Sequence, residues 1–431
     1  MPTNNQSQIT NNPPTEKRRL RVLLSAYACE PGKGSEAGVG WNMALQMAKL
    51  HDVTVLTRAN NEPVITPALP PGDAPKFIYY DLPKWARWWK RGARGAQLYY
   101  YLWQIFAGRM LKKKYAGQFD VGHHVTFVRY WMPTCFPMLG IPYVIGPVGG
   151  GEFAPVEFEN RFPSKPYIYE KVRRLIRAFV PFDPFVRKSI VRASCVLTTT
   201  NESRVKVANL GAKRIEVYPE SGISVREYEQ LASVGCDADT FPFVFASSGR
   251  LLALKAFEAG LKAFATCGVQ DSEYWIVGDG PEKFRLVTMA NELGISERVR
   301  FYGMVPRSQA LEIMGKAHVL VHPSLHDSGG WVCPEAMAMG KAVICLNLGG
   351  PGAQVTEATG IRVEPAGYDE TIKRLAGAMK TLAADRNLLR QMGAAGRQEV
   401  ESKYIWENKC EHYSSIYWEI LDQSESRGSH V

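Results

Sequence analysis

Short apolar runs separated by helical stretches occur in two successive series along this chain, and that repetition restricts its fold more than any other feature. The first series is 20–28, 53–56, 77–80, 121–125, 143–145 and 195–198; the second is 243–246, 275–277, 299–302, 318–321, 342–345 and 361–363. Runs this short and this apolar read as strands buried on both faces, and helical patterns such as 41–50 and 256–266 fall between them. Alternation of that kind predicts a parallel α/β sheet, so each series predicts one Rossmann-like domain. A length of 431 residues exceeds what one hydrophobic core comfortably serves, which agrees with two. The turn-rich segment from Tyr218 to Ser224 and the polar stretch to Thr240 predict the connection, giving domains at 19–221 and 222–402.

Composition narrows the classes. Hydrophobic residues make up 45% and charged residues 22%, and no window nears the ~20 apolar residues that cross a bilayer. The eight cysteines lie in apolar runs without a C-x-x-C pair, which fits a reducing cytoplasm. Residues 1–18 are rich in Asn, Thr and Pro and read as a disordered tail without the apolar core of a secretory signal; 424–431 reads as a second tail. A net charge of +10 calls for an acidic partner. The densest basic run holds Lys84, Arg87, Lys90 and Arg91, continues through Arg94, Arg109 and Lys112 to Lys114, and is interleaved with Trp and Tyr. It suits an anionic membrane surface on the inner face of the cytoplasmic membrane, or a solvated helix whose aromatics pack on the domain. No nucleic-acid module accompanies it.

Three stretches have the residue types that chemistry needs. In the first, a strand ends at Pro323, and Asp327, Ser328, Gly329, Gly330 and Trp331 lead to a helix opening near Cys333 or Pro334. The glycines let a ligand approach the backbone, and Asp327 and Glu335 are two acceptors for hydroxyl groups; Glu335 equally suits a first helical turn for stability alone. In the second, Arg250 and Lys255 follow a strand and could both reach one diphosphate without a metal. In the third, Gly32, Gly34 and Ala37 form G-x-G-x-x-A after the first strand. The next strand ends in Thr57-Arg58 with no carboxylate for a ribose, so only a 2′-phosphate dinucleotide on Arg58 is compatible. His123 and His124 end a strand, where they are candidates for sugar contact or acid–base work. His318, His322 and His326 recur every four residues, but on a strand followed by Pro they do not align as zinc ligands, and no metal is expected.

These residues resemble retaining glycosyltransferases of family four, which have the GT-B fold, from about residue 20 to 422. The resemblance rests on ordered landmarks: Gly249-Arg-Leu with Lys255, Ile276-Val-Gly-Asp-Gly-Pro281, Val299-Arg-Phe-Tyr-Gly303, the 327–335 carboxylate motif, Glu335-Ala-Met-Ala-Met-Gly340 and Tyr404-Ile-Trp-Glu407. The stretches from Tyr27 to Trp41 and from Gly146 to Glu152 look like a bacterial subgroup whose members often assemble polysaccharide or glycolipid.

The resemblance implies two Rossmann-like domains facing a central cleft, acceptor domain first and donor domain second. It implies a helix over 403–423 that crosses back to the first domain. The substrate would be a nucleotide-diphosphate sugar, with no cofactor or metal. Arg250 and Lys255 would bind the diphosphate, Glu335 the ribose and Asp327 the transferred sugar. Gly32, Gly34, Gly249, Gly278, Ser328, Gly329, Gly330 and Trp331 would line the donor site; Glu36, Gly149, Gly150, His123 and His124 would face it across the cleft. Asp327 stands where the family has Glu. That departure keeps open a non-catalytic sugar-nucleotide or glycan-binding protein, beside an NADP-dependent oxidoreductase using the first glycine loop.

Overall fold

The computed structural model describes residues 18–90, 95–234 and 239–428. Of the expected tails at 1–18 and 424–431, residues 1–17 and 429–431 lie outside the described residues, as do Arg91, Arg94 and Cys236, while the last helix runs on to Gly428. Strands β1 (Arg21–Ser25), β2 (Asp52–Arg58), β3 (Lys76–Tyr80), β4 (Val121–His124), β5 (Tyr143–Val148), β6 (Cys195–Thr198) and β7 (Ile215–Val217) form one sheet in the order β3-β2-β1-β4-β5-β6-β7. Strands β8 (Phe243–Ser248), β9 (Ser272–Val277), β10 (Val299–Gly303), β11 (Val319–His322), β12 (Ala342–Leu346) and β13 (Gly360–Val363) form a second, ordered β10-β9-β8-β11-β12-β13. Every strand pairing within the two sheets is parallel. This is the doubly wound architecture that two apolar series predict.

Burial on both faces explains why the strands are apolar throughout. Val22 and Leu24 of β1 pack among Met43, Met47 and the C-terminal helix, while Leu23 packs on the opposite face with Tyr100, Trp103 and Leu111. In β8, Phe243 and Phe245 face one core and Val244 and Ala246 the other. The period-2 geometry of a strand thus feeds two cores per sheet.

The chain passes between domains at two adjacent places. Ile223 pairs with Ile405, after which helix Trp406–Gly428 buries Trp406, Cys410, Tyr413, Ile416, Tyr417 and Ile420 in the first domain's core. Gly222 permits the crossing, because a Cβ there would stand 2.5 Å from the Trp406 ring.

Several expectations are corrected. The first helix spans Ser35–Leu50, so the glycine-rich stretch is half helical; a Cβ on Gly40 would lie 2.2 Å from the Ala28 carbonyl oxygen, which is why glycine stands there. The basic-aromatic run divides in two. Trp85 and Trp88 are 78% and 75% exposed, whereas Tyr99, Tyr100 and Trp103 of helix Ala96–Lys114 are core residues. His123 and His124 do not face the cleft. His123 lies between the Tyr417 hydroxyl (2.6 Å) and the Gly146 carbonyl oxygen (2.9 Å), and His124 Nε2 meets the Tyr100 hydroxyl at 2.5 Å. Both are buried, and burial pushes His123 down to about 4 and His124 to about 3. Neutral and enclosed, they pin β4 to helices on either side of the sheet.

That burial has a signed consequence. His123 titrates in the folded chain at about 4, below its ordinary 6.5, so the unfolded chain takes up the proton first as pH falls. Its contribution to stability is present above pH 6.5 and is lost as pH falls through about 4, at up to about 1.4 kcal/mol per pH unit. Thermal melts at pH 7.5 and 4.5 should show a smaller acid loss for His123→Gln than for wild type, although the variant starts lower. Equal losses would mean the histidine is accessible in the fold.

Candidate functional site

In an open parallel sheet, ligands bind beyond the carboxyl ends of the strands where the strand order reverses. In the first sheet that point lies between β1 and β4; in the second it lies between β8 and β11. The segments leaving these four strands meet. A cleft of about 940 Å³ is lined by Ser35 and Glu36 after β1, Val128 and Arg129 after β4, Arg250 and Lys255 after β8, and Asp327, Ser328 and Gly329 after β11.

The β8 loop is set by backbone packing. Gly278 has φ +137°, and a Cβ there would lie 1.9 Å from the Gly249 carbonyl oxygen, so only glycine allows β9 to press against the turn that presents Arg250. The Gly249 amide donates to Val277 (3.0 Å), and the Leu251 amide to Asp279 (3.0 Å). Gly249 and Gly278 therefore position Arg250 from behind and do not line the cleft.

Both carboxylate oxygens of Asp327 have partners. One carboxylate oxygen meets the Lys255 ammonium and His322 Nε2 (3.1 Å); the other accepts from the Gly330 amide (3.1 Å). Burial opposes its ionisation, but the His322 hydrogen bond and the Lys255 charge outweigh burial and hold it far below the usual carboxylate range. With one methylene fewer than Glu, it closes a compact loop on its own side of the cleft. The Gly330 amide, expected to be open to a ligand, is taken by this carboxylate, and φ +50° at Gly330 is what turns it there.

Glu335 lies in the first turn of helix Val332–Ala338 and pairs with Arg307 at 2.5 Å, and the same Arg307 holds Glu227 at 2.5 Å. Gly32 and Gly34 sit in the loop before the first helix with open space around them and do not line the cleft either. Arg58, the one anchor for a 2′-phosphate, is occupied by Asp81 at 3.5 Å and lies over the rings of Tyr27 and Tyr99.

Across the cleft the predicted acceptor-side residues do come together. Glu36 accepts from the Phe127 amide (2.7 Å), and burial raises its carboxyl above the ordinary range. Gly149 lies against Ser328, where a Cβ would approach to 3.1 Å, and the Gly150 amide donates to Glu152 (2.9 Å). Glu152 is the joint: its other oxygen accepts from Thr200 (2.6 Å) and Ser203 (2.9 Å), and the Ser328 hydroxyl reaches it from the other domain at 2.7 Å.

Sequence reasoning missed four lining residues that the geometry brings in. Ser35 carries φ +58°, a left-handed conformation that a non-glycine residue adopts at a cost of about 1–3 kcal/mol and that the packed helix start maintains. Glu220 comes from the connecting segment, and burial, with Glu36 adding to it, pushes its carboxyl up to about 8. Arg129 and Trp131 follow β4 in a stretch where the paired histidines drew attention. Polarity inside a turn-rich linker was the signal available for Glu220; none marked the others.

Comparison with known proteins agrees with this geometry. Residues 237–399 match the family model described as glycosyl transferases group 1. The lipopolysaccharide core biosynthesis glycosyltransferase LpsD of Rhizobium meliloti is 30% identical over 51% of this chain and 62% of its own length. The first curated relatives are matched over 49% to 62% of their length. Among solved structures, sucrose-phosphate synthase from Thermosynechococcus elongatus superposes with a TM-score of 0.63 at 18% identity, over 94% of this chain and 100% of that one. Anabaena HepE, solved in complex with UDP and glucose, superposes with a TM-score of 0.55 at 16% identity, over 96% and 100%. The chain thus has the two-domain GT-B fold, and its C-terminal half carries the match to glycosyltransferase group 1.

Proposed function

We propose that this protein transfers a sugar from a nucleotide-diphosphate sugar, with retention at the anomeric carbon and without a metal, to a glycolipid, lipid-linked saccharide or polysaccharide precursor. The observation that carries the reading is that Arg250 and Lys255, both after β8 at the reversal point of the second sheet, line one cleft with Glu36 and Arg129 of the first domain. Arg250 offers a planar fork to phosphate oxygens and Lys255 a point charge, so together they stabilise the diphosphate as it leaves. Asp327 orients Lys255 and takes the sugar's hydroxyls; Glu335, steadied by Arg307, takes the ribose.

Retention follows from attack on the face the leaving group vacates. The acceptor oxygen bonds to the anomeric carbon as the bond from that carbon to the diphosphate oxygen breaks. The acceptor proton passes to the departing diphosphate. The group 1 match, the HepE complex with UDP and glucose, and LpsD's place in lipopolysaccharide core biosynthesis support this reading. On this proposal the enzyme works in the cytoplasm, peripheral to the inner face of the membrane.

A donor screen tests it. One of UDP-, GDP- or ADP-sugars should raise the melting temperature, since a ligand at 100 times its dissociation constant adds about 2.7 kcal/mol. Slow release of the matching nucleotide should accompany it. Arg250→Ala should lower kcat/KM by about 10²–10³-fold. A shift without turnover on any acceptor would favour a binding protein, and no shift with any of the three would overturn the proposal.

Gly278→Ala tests the positioning of Arg250 from outside the cleft. Placing a Cβ on the Gly249 carbonyl should destabilise the chain by about 1–3 kcal/mol and weaken the nucleotide-induced shift. An unchanged melting temperature together with an unchanged shift would show that the β8 turn does not depend on that contact.

A further inference from the structure

The first-domain wall of the cleft holds cations that a donor diphosphate leaves unused. Helix Ser164–Ala178 runs along the mouth, with Tyr169, Val172, Arg173, Ile176 and Arg177 among the lining residues. Arg177 is 9% exposed and stacks on the Trp131 ring at 3.8 Å. Among the described residues no carboxylate pairs with it, and its Nη1 is buried without a hydrogen-bond partner. Arg173 pairs with Glu170, yet its Nε is buried and unbonded. From the other domain, His326 lines the same cleft with its Nε2 buried and unbonded.

These orphaned donors share one neighbourhood. Burial lowers both Arg177 and His326, and in each case Arg173 adds the next largest effect in the same direction. Of the carboxylates nearby, Glu159 pairs with Arg174 and Glu170 with Arg173, each with an oxygen still buried and unbonded, and Glu152 serves Thr200, Ser203, Ser328 and the Gly150 amide; none of the three reaches Arg177 or His326. A buried donor left without a partner is costly, more so when charged, and an anion entering the cleft would pair with both guanidinium groups and with His326 in the tautomer protonated at Nε2.

The outer side of the same helix is apolar where a water-facing helix would be polar. Ile176 and Phe179 are each 64% exposed and line the cleft mouth; Phe182, just beyond, is 80% exposed. Lys165 and Lys171 lie on the same helix. The Tyr101 hydroxyl donates to Asp183 at 2.8 Å, joining this segment to helix Ala96–Lys114, whose exposed Leu98 lines the same mouth. An exposed apolar strip leading into a pocket with buried, unbonded guanidinium and imidazole nitrogens is complementary to an amphiphile with an anionic head. A flat protein face would cover the strip and leave the donors inside the cleft unmet.

We propose that this mouth binds a phosphate-bearing lipid as the acceptor, its phosphate against Arg173, Arg177 and His326 and its hydrocarbon chain along Val172, Ile176 and Phe179. The assignment as acceptor rests on the proposed glycosyl transfer; the binding site stands on the geometry alone.

Flotation with phosphatidylcholine vesicles, plain or containing phosphatidic acid, tests it without donor. Wild type should float with the phosphatidic acid vesicles and not with plain ones, and free inorganic phosphate should compete weakly because it lacks the chain. The double variant Arg173→Gln/Arg177→Gln should lower the bound fraction by about tenfold. Because Arg177 is buried, Ile176→Ser/Phe179→Ser, both on the surface, provides an independent variant with the same expected loss. The melting-temperature response to nucleotide should persist in both, showing that they are folded. Equal flotation with plain vesicles, or binding unchanged in both variants, would overturn the site; so would concentration-dependent dimers that bind no vesicles. Flotation as expected without any nucleotide response would remove the donor reading and leave the lipid site standing.

Discussion

Glu152 is the point on which the cleft depends. Its carboxylate takes two hydroxyls and one amide from the first domain and the Ser328 hydroxyl from the second. Burial works against its ionised form, yet those hydrogen bonds outweigh it and hold the group below the usual carboxylate range. A charge this well satisfied fixes geometry: Ser328 cannot shift without leaving a buried acceptor short, so the loop from Asp327 to Gly329 is registered against the first domain. The Gly349 amide adds a second tie across the cleft, donating to Glu202 at 3.1 Å. These polar contacts are few compared with the Ile223–Ile405 crossing and the buried face of the last helix, and that difference divides the labour. The apolar crossing holds the domains together, while the polar ties set how they face each other.

That division bears on motion. Polar contacts across a cleft exchange readily for ligand contacts, whereas a helix with six residues in the other domain's core does not detach. Opening should therefore pivot near Gly222 and Ile405, with the Glu152–Ser328 contact the part that breaks. Asp327 and Lys255 would travel together, because they lie on the same domain and are paired to each other.

Much of the fold was legible because both sheets are buried on both faces, so each strand is a continuous apolar run whatever its neighbours. β7 was missed for the converse reason: Ile215-Glu216-Val217 is three residues long, half exposed, and has no apolar run to announce it. The site was legible where chemistry sits directly after a strand, as with Arg250, Lys255 and Asp327. It was illegible where burial decides the role. Nothing local distinguishes His123 and His124, enclosed by Tyr417 and Tyr100, from strand-end histidines open to a ligand. The basic-aromatic run left two readings open for the same reason, and helical spacing decides between them by sending Tyr99, Tyr100 and Trp103 inward and Leu98 outward. Helix Ser164–Ala178 went unread, and its apolar residues Ile168, Val172, Leu175 and Ile176 stand exposed, which only the fold shows.

Burial also governs the charge of the cleft. Arg129, Arg173, Arg177, Arg250 and Lys255 face Glu36, Glu220, Asp327 and Asp183, a near balance on paper. The balance does not survive the environment. Asp327 is held ionised by His322 and Lys255, but burial pushes Glu220 up to about 8, which favours its neutral form at neutral pH, and raises Glu36 as well. A neutral Glu220 leaves Arg129 and its neighbours less compensated, and the cleft is more cationic than its composition states. An entering phosphate would raise the two acids further, since negative charge disfavours their ionisation. Anion binding and protonation therefore support each other, and the carboxyls that would repel a phosphate in water are, once buried beside it, able to donate hydrogen bonds to it.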